Sequence, residues 1–449
     1  MAQNDRSAIT TFENKLYQLL IAGLDGDRIE EAPYCERILG LARIGIGGFI
    51  ISGGMKETLM PFIGQVRSCA PVPLFFASDM EHGMGGKVRG ATLFPSPMAI
   101  AAAMRGSDGL NRGLIERALF LMASEAVECG INMPIIEAQD EACGDAAQAA
   151  VAEALSGYRQ TCRAMGLCLL EKRPPCQGSA PYAYHPAADG PDKDHDPAKL
   201  PDLTVAILRD EPECTAARCI GGGADMLIDQ SDPDATVGGL AAALLDGELA
   251  EERIDAAITR INRVKSGFSL PGAVPVDYAR KEELSAKVAE AAITLVKGRG
   301  RFLPIRESDN IPLIYAGDQA YFQTSPLRYY VKQASHVSKP LPTSERPVMF
   351  LLFPSKGGGN ASSAMEPAEA EVLRRLIRGN SPALVVSFGS PYALTQFKEA
   401  GVLVAAYDAS GDAQEAVFRC VMGESPFRGE LPLEIWVSGR VKPRGPKTP

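Results

Sequence analysis

Short apolar runs alternate, over the first 268 residues, with longer segments whose apolar residues recur every three or four positions. The short runs have the length of buried strands, and the longer segments have the spacing of one helix face. The sequence predicts seven strands, at Leu19–Leu24, Gly47–Ser52, Val72–Phe76, Ile131–Ile136, Leu167–Leu170, Thr204–Leu208 and Ala224–Ile228. Parallel strands need helical crossovers, so this alternation predicts a parallel β/α architecture.

Polar residues follow these strands, which is typical of a TIM barrel because such barrels build their sites at the carboxyl ends of the strands. Seven strands are one fewer than the usual eight. We therefore predict a (β/α)8-like barrel abbreviated to about seven strands, unless one strand is cryptic. The long loop Arg173–Pro201, rich in Pro, Gly and Asp, is where the missing unit belongs.

A segment rich in Pro and Gly, Ser269–Asp277, separates this pattern from a second one. The second pattern has four candidate strands separated by helices, at Ile311–Ala316, Val348–Phe353, Leu384–Phe388 and Leu403–Tyr407. We predict a barrel domain over residues 1–268, a linker over 269–282 and a smaller α/β sandwich domain over 283–449.

The composition narrows the classes of partner. The 449 residues are 46% hydrophobic and 22% charged, with a formal charge of −9, which argues against nucleic-acid and anionic-membrane partners. The polar amino terminus lacks the pattern of a signal peptide, so we expect a cytoplasmic protein. Ten cysteines without C-x-x-C spacing and only four histidines argue against zinc and disulfides, and we expect no cofactor. The oligomeric state cannot be read from the sequence.

Charged residues cluster after the third strand. Asp79 and Glu81 follow an apolar run, and a glycine-rich segment then carries Lys87 and Arg89. If the strands form a barrel, its carboxyl-end face also receives charged residues from the other strands, among them Lys172, Arg173, His185 and Asp210. Glycosidic hydrolysis needs a carboxylate and a proton donor, which this set can supply. Spacing alone leaves a solvated charge cluster equally open.

A resemblance to known sequences helps to choose between a glycosidase site and a solvated charge cluster. FFASDMEHGMGGKVRGATLFPSPMA resembles the Asp–x–Glu–x–Gly…Arg…FP–x–x–MA segment of glycoside hydrolase family 3, nearest its bacterial β-N-acetylglucosaminidase and β-glucosidase types. GINMPIIEAQD, GGGADMLIDQSDP and VAEAAITLVKGRGRFLPI are similar to later segments of the family, and the resemblance spans roughly Leu19 to Ile435. It implies a retaining exo-hydrolase of β-linked N-acetylglucosamine or glucose, with a carbohydrate as its partner.

The resemblance also implies roles for individual residues. Asp79 stands at the position that binds sugar hydroxyls, and Arg89 supports the same subsite. Lys172 and Arg173 begin the segment that corresponds to the family's KHFPGHG and are implied to bind substrate. TVAILRD places Asp210 at the nucleophile, and a gapless count places His185 at the acid/base.

Several family motifs are altered. Residues 141–147 (EACGDAA) replace an Arg-Ser-Phe-Gly motif, and Ala183 replaces the aspartate that orients the catalytic histidine. Asp194-His195-Asp196 is an alternative dyad, but it is out of register. These departures favour weakened or lost hydrolysis. Two alternatives stay open: a non-catalytic sugar-binding or scaffold protein, and a redirected hydrolase that uses Glu81 or Glu171.

Overall fold

The computed structural model describes residues 12–106, 110–136, 145–173, 183–186, 203–208, 215–267, 278–298, 303–306, 311–331, 333–339, 348–354, 367–380 and 383–435. The chain divides into two compact units. One comprises Met1–Phe94, Leu119–Ala138 and Ser156–Val276, and the other Pro95–Ala118, Gln139–Leu155 and Asp277–Pro449. The segment Ser269–Asp277 lies outside the described residues, so the linker and domain boundaries stay predictions.

Eight strands form a closed barrel in the first unit. They are β1 (Leu20–Asp25), β2 (Gly48–Ser52), β3 (Phe75–Asp79), β4 (Met133–Ile136), β5 (Leu170–Arg173), β6 (Ala183–Pro186), β7 (Val205–Ile207) and β8 (Met226–Asp229). Seven are mutually parallel, and β1 pairs with β8. The predicted barrel of about seven β/α strands is confirmed. The eighth position holds β6, a cryptic strand from the long loop that runs antiparallel to β5 and β7.

The described residues also form helices between the strands. They are α1 (Phe12–Tyr17), α2 (Ala32–Ile44), α3 (Lys56–Cys69), α4 (Pro97–Arg105), α5 (Leu110–Glu128), α6 (Asp145–Ala154), α7 (Ser156–Ala164), α8 (Ala216–Gly221), α9 (Pro233–Leu245), α10 (Glu251–Ser266), α11 (Tyr278–Ala292), α12 (Gln319–Gln323), α13 (Pro367–Gly379) and α14 (Gly411–Met422). None of those in the described ranges is long and apolar enough to cross a bilayer.

The amphipathic helix α10 illustrates how the sequence shapes these elements. Ile254, Ile261 and Val264 form its buried face at helical spacing. Glu251 lies in its first turn and Arg263 in its last, where their charges complement the helix dipole. The spacing of the apolar residues and the charges at the two ends of the segment therefore predict a helix where the structure has α10.

The second unit contains a six-stranded sheet in the order β11-β10-β12-β13-β14-β9. Its strands are β9 (Thr294–Lys297), β10 (Leu313–Ala316), β11 (Ala334–His336), β12 (Val348–Leu352), β13 (Ala383–Ser387) and β14 (Val402–Ala405). All neighbours are parallel except β9, which is antiparallel to β14. The predicted second α/β domain is confirmed, and β9 and β11 are additional edge strands.

Lys265 is an unusual residue of the barrel unit, because its charged side chain is buried near the carboxyl end of α10. It is 5% exposed, and its Nζ has no hydrogen-bond partner among the described residues. That nitrogen lies 5.1 Å from the ring centre of Phe75. Burial lowers the pKa of Lys265 to about 7.

Lys265 makes the stability of the protein depend on pH. In the unfolded chain it regains its ordinary pKa of 10.5, so between pH 7 and that value the unfolded state binds more protons. Stability therefore rises with pH in this window, by up to about 1.4 kcal/mol per pH unit from this group. We expect Lys265→Met to increase the free energy of unfolding most at pH 7, with a gain that shrinks as pH rises. Urea unfolding at several pH values measures it.

The matched control is Lys398→Met, which removes an exposed lysine. Its free energy of unfolding should follow the wild-type pH dependence. A Lys265→Met variant with that same dependence would contradict the buried, largely neutral lysine.

Candidate functional site

A cavity of about 870 Å³ lies at the carboxyl ends of the barrel strands. The ends of β1, β2, β3 and β8 line much of it, and Ile135 of β4 and Ile207 of β7 contribute single apolar side chains. Its charged lining residues are Asp25, Arg28, Arg37, Asp79, Glu81, Lys87, Asp229, Asp232 and Asp234. This is the end of the fold at which β/α barrels place their active sites.

Asp79 and Lys87 form an ion pair in this cavity. Asp79 is the last residue of β3, and its Oδ2 lies 3.0 Å from the Nζ of Lys87. Its Oδ1 accepts a hydrogen bond from the backbone N–H of Glu81 at 3.3 Å. Both partners of the ion pair are half-exposed, so they can contact a bound molecule as well as each other. Asp79 and Glu81 thus lie together in the cavity.

Arg89 is oriented differently from Lys87. Its Nη2 lies 2.5 Å from the Oδ1 of Asp27, its side chain is 61% exposed, and it is not among the cavity-lining residues. The hydrogen bond from Arg89 holds the pKa of the Asp27 carboxyl below its usual value. The structure therefore brings Lys87 to Asp79, and Arg89 to the loop after β1. Sequence reasoning selected Arg89 and passed over Lys87, although Lys87 lies only two residues away.

Backbone hydrogen bonds hold the segment of Lys87 and Arg89 in place. The N–H of Gly53 donates to the carbonyl of Lys87, and the N–H of Arg89 donates to the carbonyl of Gly54, each at 2.9 Å. The N–H of Lys56 donates to the carbonyl of Arg89, also at 2.9 Å. The loops after β2 and β3 are thereby joined like two short strands, and this fixes the direction of both basic side chains.

A network of buried charged side chains contacts the loop after β3. The Glu125 carboxylate accepts a hydrogen bond from the N–H of Thr92 at 3.1 Å and lies 3.4 Å from the Nζ of Lys56. Lys56 also contacts Glu128 at 3.1 Å. Lys56 and Glu125 are both buried, so removing one would leave the other as a buried charge with fewer partners.

Gly26 and Gly54 bring the loops after β1 and β2 into close contact, and a substitution tests this contact. Gly54 has a φ of 87°, and a Cβ there would lie 2.8 Å from the Cα of Gly26. We expect Gly54→Ala to destabilise the protein by about 1–3 kcal/mol. Gly64→Ala, inside α3 with nothing within 4 Å of an added Cβ, should instead stabilise it by about 0.5–1 kcal/mol. Melting temperatures of the two variants check this, and equal shifts would contradict the close contact.

The end of β8 supplies a second group of carboxylates. Asp229 is buried and accepts hydrogen bonds from Ser231 N–H at 2.9 Å, Ser231 Oγ at 2.8 Å and Thr236 Oγ1 at 2.6 Å. Asp232 accepts bonds from backbone N–H groups at the start of α9. Both aspartates follow a predicted strand in the sequence LIDQSDP, which could have marked them as site residues. Sequence reasoning gave them no site role.

Asp234 is held by two partners at the start of α9. Its Oδ2 lies 2.7 Å from the Nη2 of Arg37, and its Oδ1 accepts a hydrogen bond from the Tyr17 hydroxyl at 2.7 Å. Burial and this hydrogen bond raise the pKa of Tyr17 to about 12. Although partial burial acts in the opposite direction, the two partners hold the pKa of Asp234 below its usual value. Asp234 is thus a paired anion on the cavity wall.

Residues 12–143 match the model of the glycosyl hydrolase family 3 N-terminal domain. The predicted resemblance to glycoside hydrolase family 3 is confirmed. A β-N-acetylglucosaminidase/β-glucosidase from Cellulomonas fimi is 25% identical over an alignment of 255 positions, and the match covers 49% of this chain and 45% of that enzyme. The chain thus matches less than half the length of this relative.

Two solved structures share the fold. A family 3 β-N-acetylglucosaminidase from Paenibacillus sp. str. FPU-7 is 17% identical with a TM-score of 0.69, and the match covers 95% of this chain and 99% of that one. The β-glucoside phosphorylase BglX bound to 2FGlc is 16% identical with a TM-score of 0.71, and 94% of each chain is covered. At these identities the likeness establishes the fold.

Three other residues implied by the family 3 motifs lie in strands on the opposite side of the barrel. Lys172 and Arg173 end β5, and His185 lies in β6, opposite Glu171 in the antiparallel ladder. Only the backbone of these three implied residues is described. Asp210, residues 141–147 and Asp194-His195-Asp196 lie outside the described residues.

Glu171 itself is part of a buried ion pair. Its Oε1 lies 2.5 Å from the Nε of Arg159 on α7, and both side chains are largely buried. To contact a substrate, the Glu171 carboxylate would have to leave Arg159 as a buried charge without this partner, which weighs against the redirected hydrolase through Glu171. Within the described ranges, no group of three or more His, Cys, Asp or Glu side chains is arranged to hold a metal ion.

Proposed function

We propose that this glycoside hydrolase-like protein binds the terminal sugar of β-linked glucosides or N-acetylglucosaminides in the barrel cavity and hydrolyses them slowly. One observation carries the proposal: Asp79, which the family 3 resemblance assigns to sugar hydroxyls, ends β3 inside a cavity of about 870 Å³. Lys87 lies beside it as a hydrogen-bond donor, so the pair offers both an acceptor and a donor to a hydroxyl-rich ligand.

In the proposed reaction, the Asp210 carboxylate attacks the anomeric carbon and forms a covalent glycosyl intermediate. His185 first protonates the leaving oxygen and then removes a proton from the attacking water. Asp79, Lys172 and Arg173 would hold the sugar, and Arg89, which pairs with Asp27 outside the cavity lining, would support the subsite indirectly. Ala183 cannot orient the histidine as an aspartate would, which is the physical reason to expect slow turnover.

A non-catalytic sugar-binding or scaffold protein is the second candidate. Two points support it. By the gapless count, Ala183 stands where the family's dyad has its aspartate, and the Glu171 carboxylate is held in a buried ion pair with Arg159. Both concern the side of the barrel formed by β5 and β6, whereas Asp79 and Lys87 lie on the side formed by β1 to β3 and β8. Loss of chemistry is therefore compatible with retained binding.

Hydrolysis of aryl β-N-acetylglucosaminide and aryl β-glucoside tests the reaction. We expect slow release of the aryl group by the wild-type protein and a loss of about a hundredfold or more in Asp210→Asn, because an amide cannot act as the nucleophile. Asp246→Asn, which alters an exposed carboxylate outside the cavity lining, is the matched control. Turnover that Asp210→Asn leaves unchanged would refute the nucleophile assignment, whereas absent turnover with retained binding would support the second candidate.

Binding is tested separately from turnover by Asp79→Asn. The amide keeps the shape of the carboxylate but loses its charge, so we expect the affinity for glucose and N-acetylglucosamine to fall about tenfold. Isothermal titration of the wild type, Asp79→Asn and Asp246→Asn measures the effect. Wild-type affinity in Asp79→Asn would show that the sugar does not use this part of the cavity.

A further inference from the structure

We propose that the cavity favours β-linked glucosamine, with its free ammonium group, over N-acetylglucosamine, and that the carboxylate of Asp25 recognises the ammonium. This inference rests on the proposed function, because it names the class of sugar that the same cavity takes. It differs from the β-N-acetylglucosaminide preference that the family 3 resemblance implies.

The charges on the described cavity wall are unbalanced. Six carboxylates and three cations line it, so acidic groups outnumber basic ones two to one. Nearly all of the charged residues lie at or after the ends of β1, β3 and β8, on one side of the barrel. A wall with excess negative charge attracts a cationic ligand and repels an anionic one.

Each cation on this wall already has an acidic partner. Lys87 pairs with Asp79 at 3.0 Å, Arg37 with Asp234 at 2.7 Å and Arg28 with Glu31 at 3.0 Å. The carboxylates of Asp229 and Asp232 accept hydrogen bonds from the segment that begins α9. Arg28 also interacts electrostatically with the carboxylate at the end of β1, but its main acidic partner is Glu31. That carboxylate therefore has no ion pair of its own among the described residues.

Asp25 is that carboxylate. It is the last residue of β1, is half-buried and lines the cavity. Its Oδ1 accepts a hydrogen bond from the N–H of Asp27 at 2.9 Å, and no cation among the described residues lies within ion-pair distance. The backbone N–H of Asp25 donates to the hydroxyl oxygen of Tyr34 at 2.7 Å, which fixes the end of the strand. A held, half-buried carboxylate with unused lone pairs is the complement of an ammonium group with three donors.

The spacing of the strands lets Asp25 and Asp79 contact one sugar. One strand, β2, separates β1 from β3, so their axes are about 10 Å apart. Both residues end their strands and line the same cavity. Asp79 can therefore bind hydroxyl groups while Asp25 binds the amino group of the same ring. An acetyl group on that nitrogen removes the charge and adds bulk at the carboxylate.

Isothermal titration with methyl β-glucosaminide, methyl β-N-acetylglucosaminide and methyl β-glucoside tests the proposal at a pH where the amine is protonated. In the wild-type protein we expect the glucosaminide to bind about three- to tenfold more tightly than the other two. In Asp25→Asn, whose amide oxygen can still accept the Asp27 N–H, the three affinities should become equal. Asp246→Asn removes the same charge from an exposed position and should keep the preference.

A salt titration of the wild-type protein gives a second measurement that needs no variant. The preference for the glucosaminide should shrink between about 0.05 and 0.5 M salt, while the affinity for the neutral glucoside stays constant. The proposal is overturned if the N-acetylated or neutral sugar binds at least as tightly in the wild type, or if Asp25→Asn retains the preference. If none of the three sugars binds, the proposed function itself fails.

Discussion

Closure of the barrel depends on hydrogen-bond partners for the facing edges of β5 and β7. Seven parallel strands leave these two edges unpaired, and unpaired backbone groups in a buried sheet are costly. The short strand β6 supplies both partners by running antiparallel between them. The barrel can therefore lack one β/α unit and still close. The ring of strand ends that forms the cavity floor depends on that closure.

The closed ring gives the barrel two unlike sides. On the side of β1, β2, β3 and β8, glycine contacts and backbone hydrogen bonds join the loops, and each basic side chain there pairs with an acidic one. The other side is built by β5, β6 and β7, with a cryptic antiparallel strand in place of a β/α unit. Arg173 and Ala183, two positions that differ from the family 3 motifs, lie on this second side. In our proposal, the first side keeps a sugar subsite while the reaction on the second side is weakened.

Charged side chains that are buried or half-buried in the barrel unit fall into three cases. Next to the loop after β3, Lys56 and Glu125 are buried as an ion pair. Each charge offsets part of the cost of desolvating the other. Lys265 has no such partner among the described residues, and burial shifts its pKa instead. Asp25 is a third case, because it is half-buried and lines the cavity without an ion pair among the described residues. In our proposal, the ligand supplies the cation that pairs with it.

The sequence by itself determined the β/α alternation, the second α/β domain and the cluster at Asp79, because side-chain periodicity and strand-end chemistry are local properties. Three features were decided only by the tertiary structure. The strand β6 is four residues long, ends in proline and gains its pairing from β5 and β7, so no local pattern predicts it. The choice between Lys87 and Arg89 follows from backbone contacts with Gly53 and Gly54, more than 30 residues earlier in the chain. The assignment of α4 to the second unit is likewise a matter of long-range packing, which sequence order does not record.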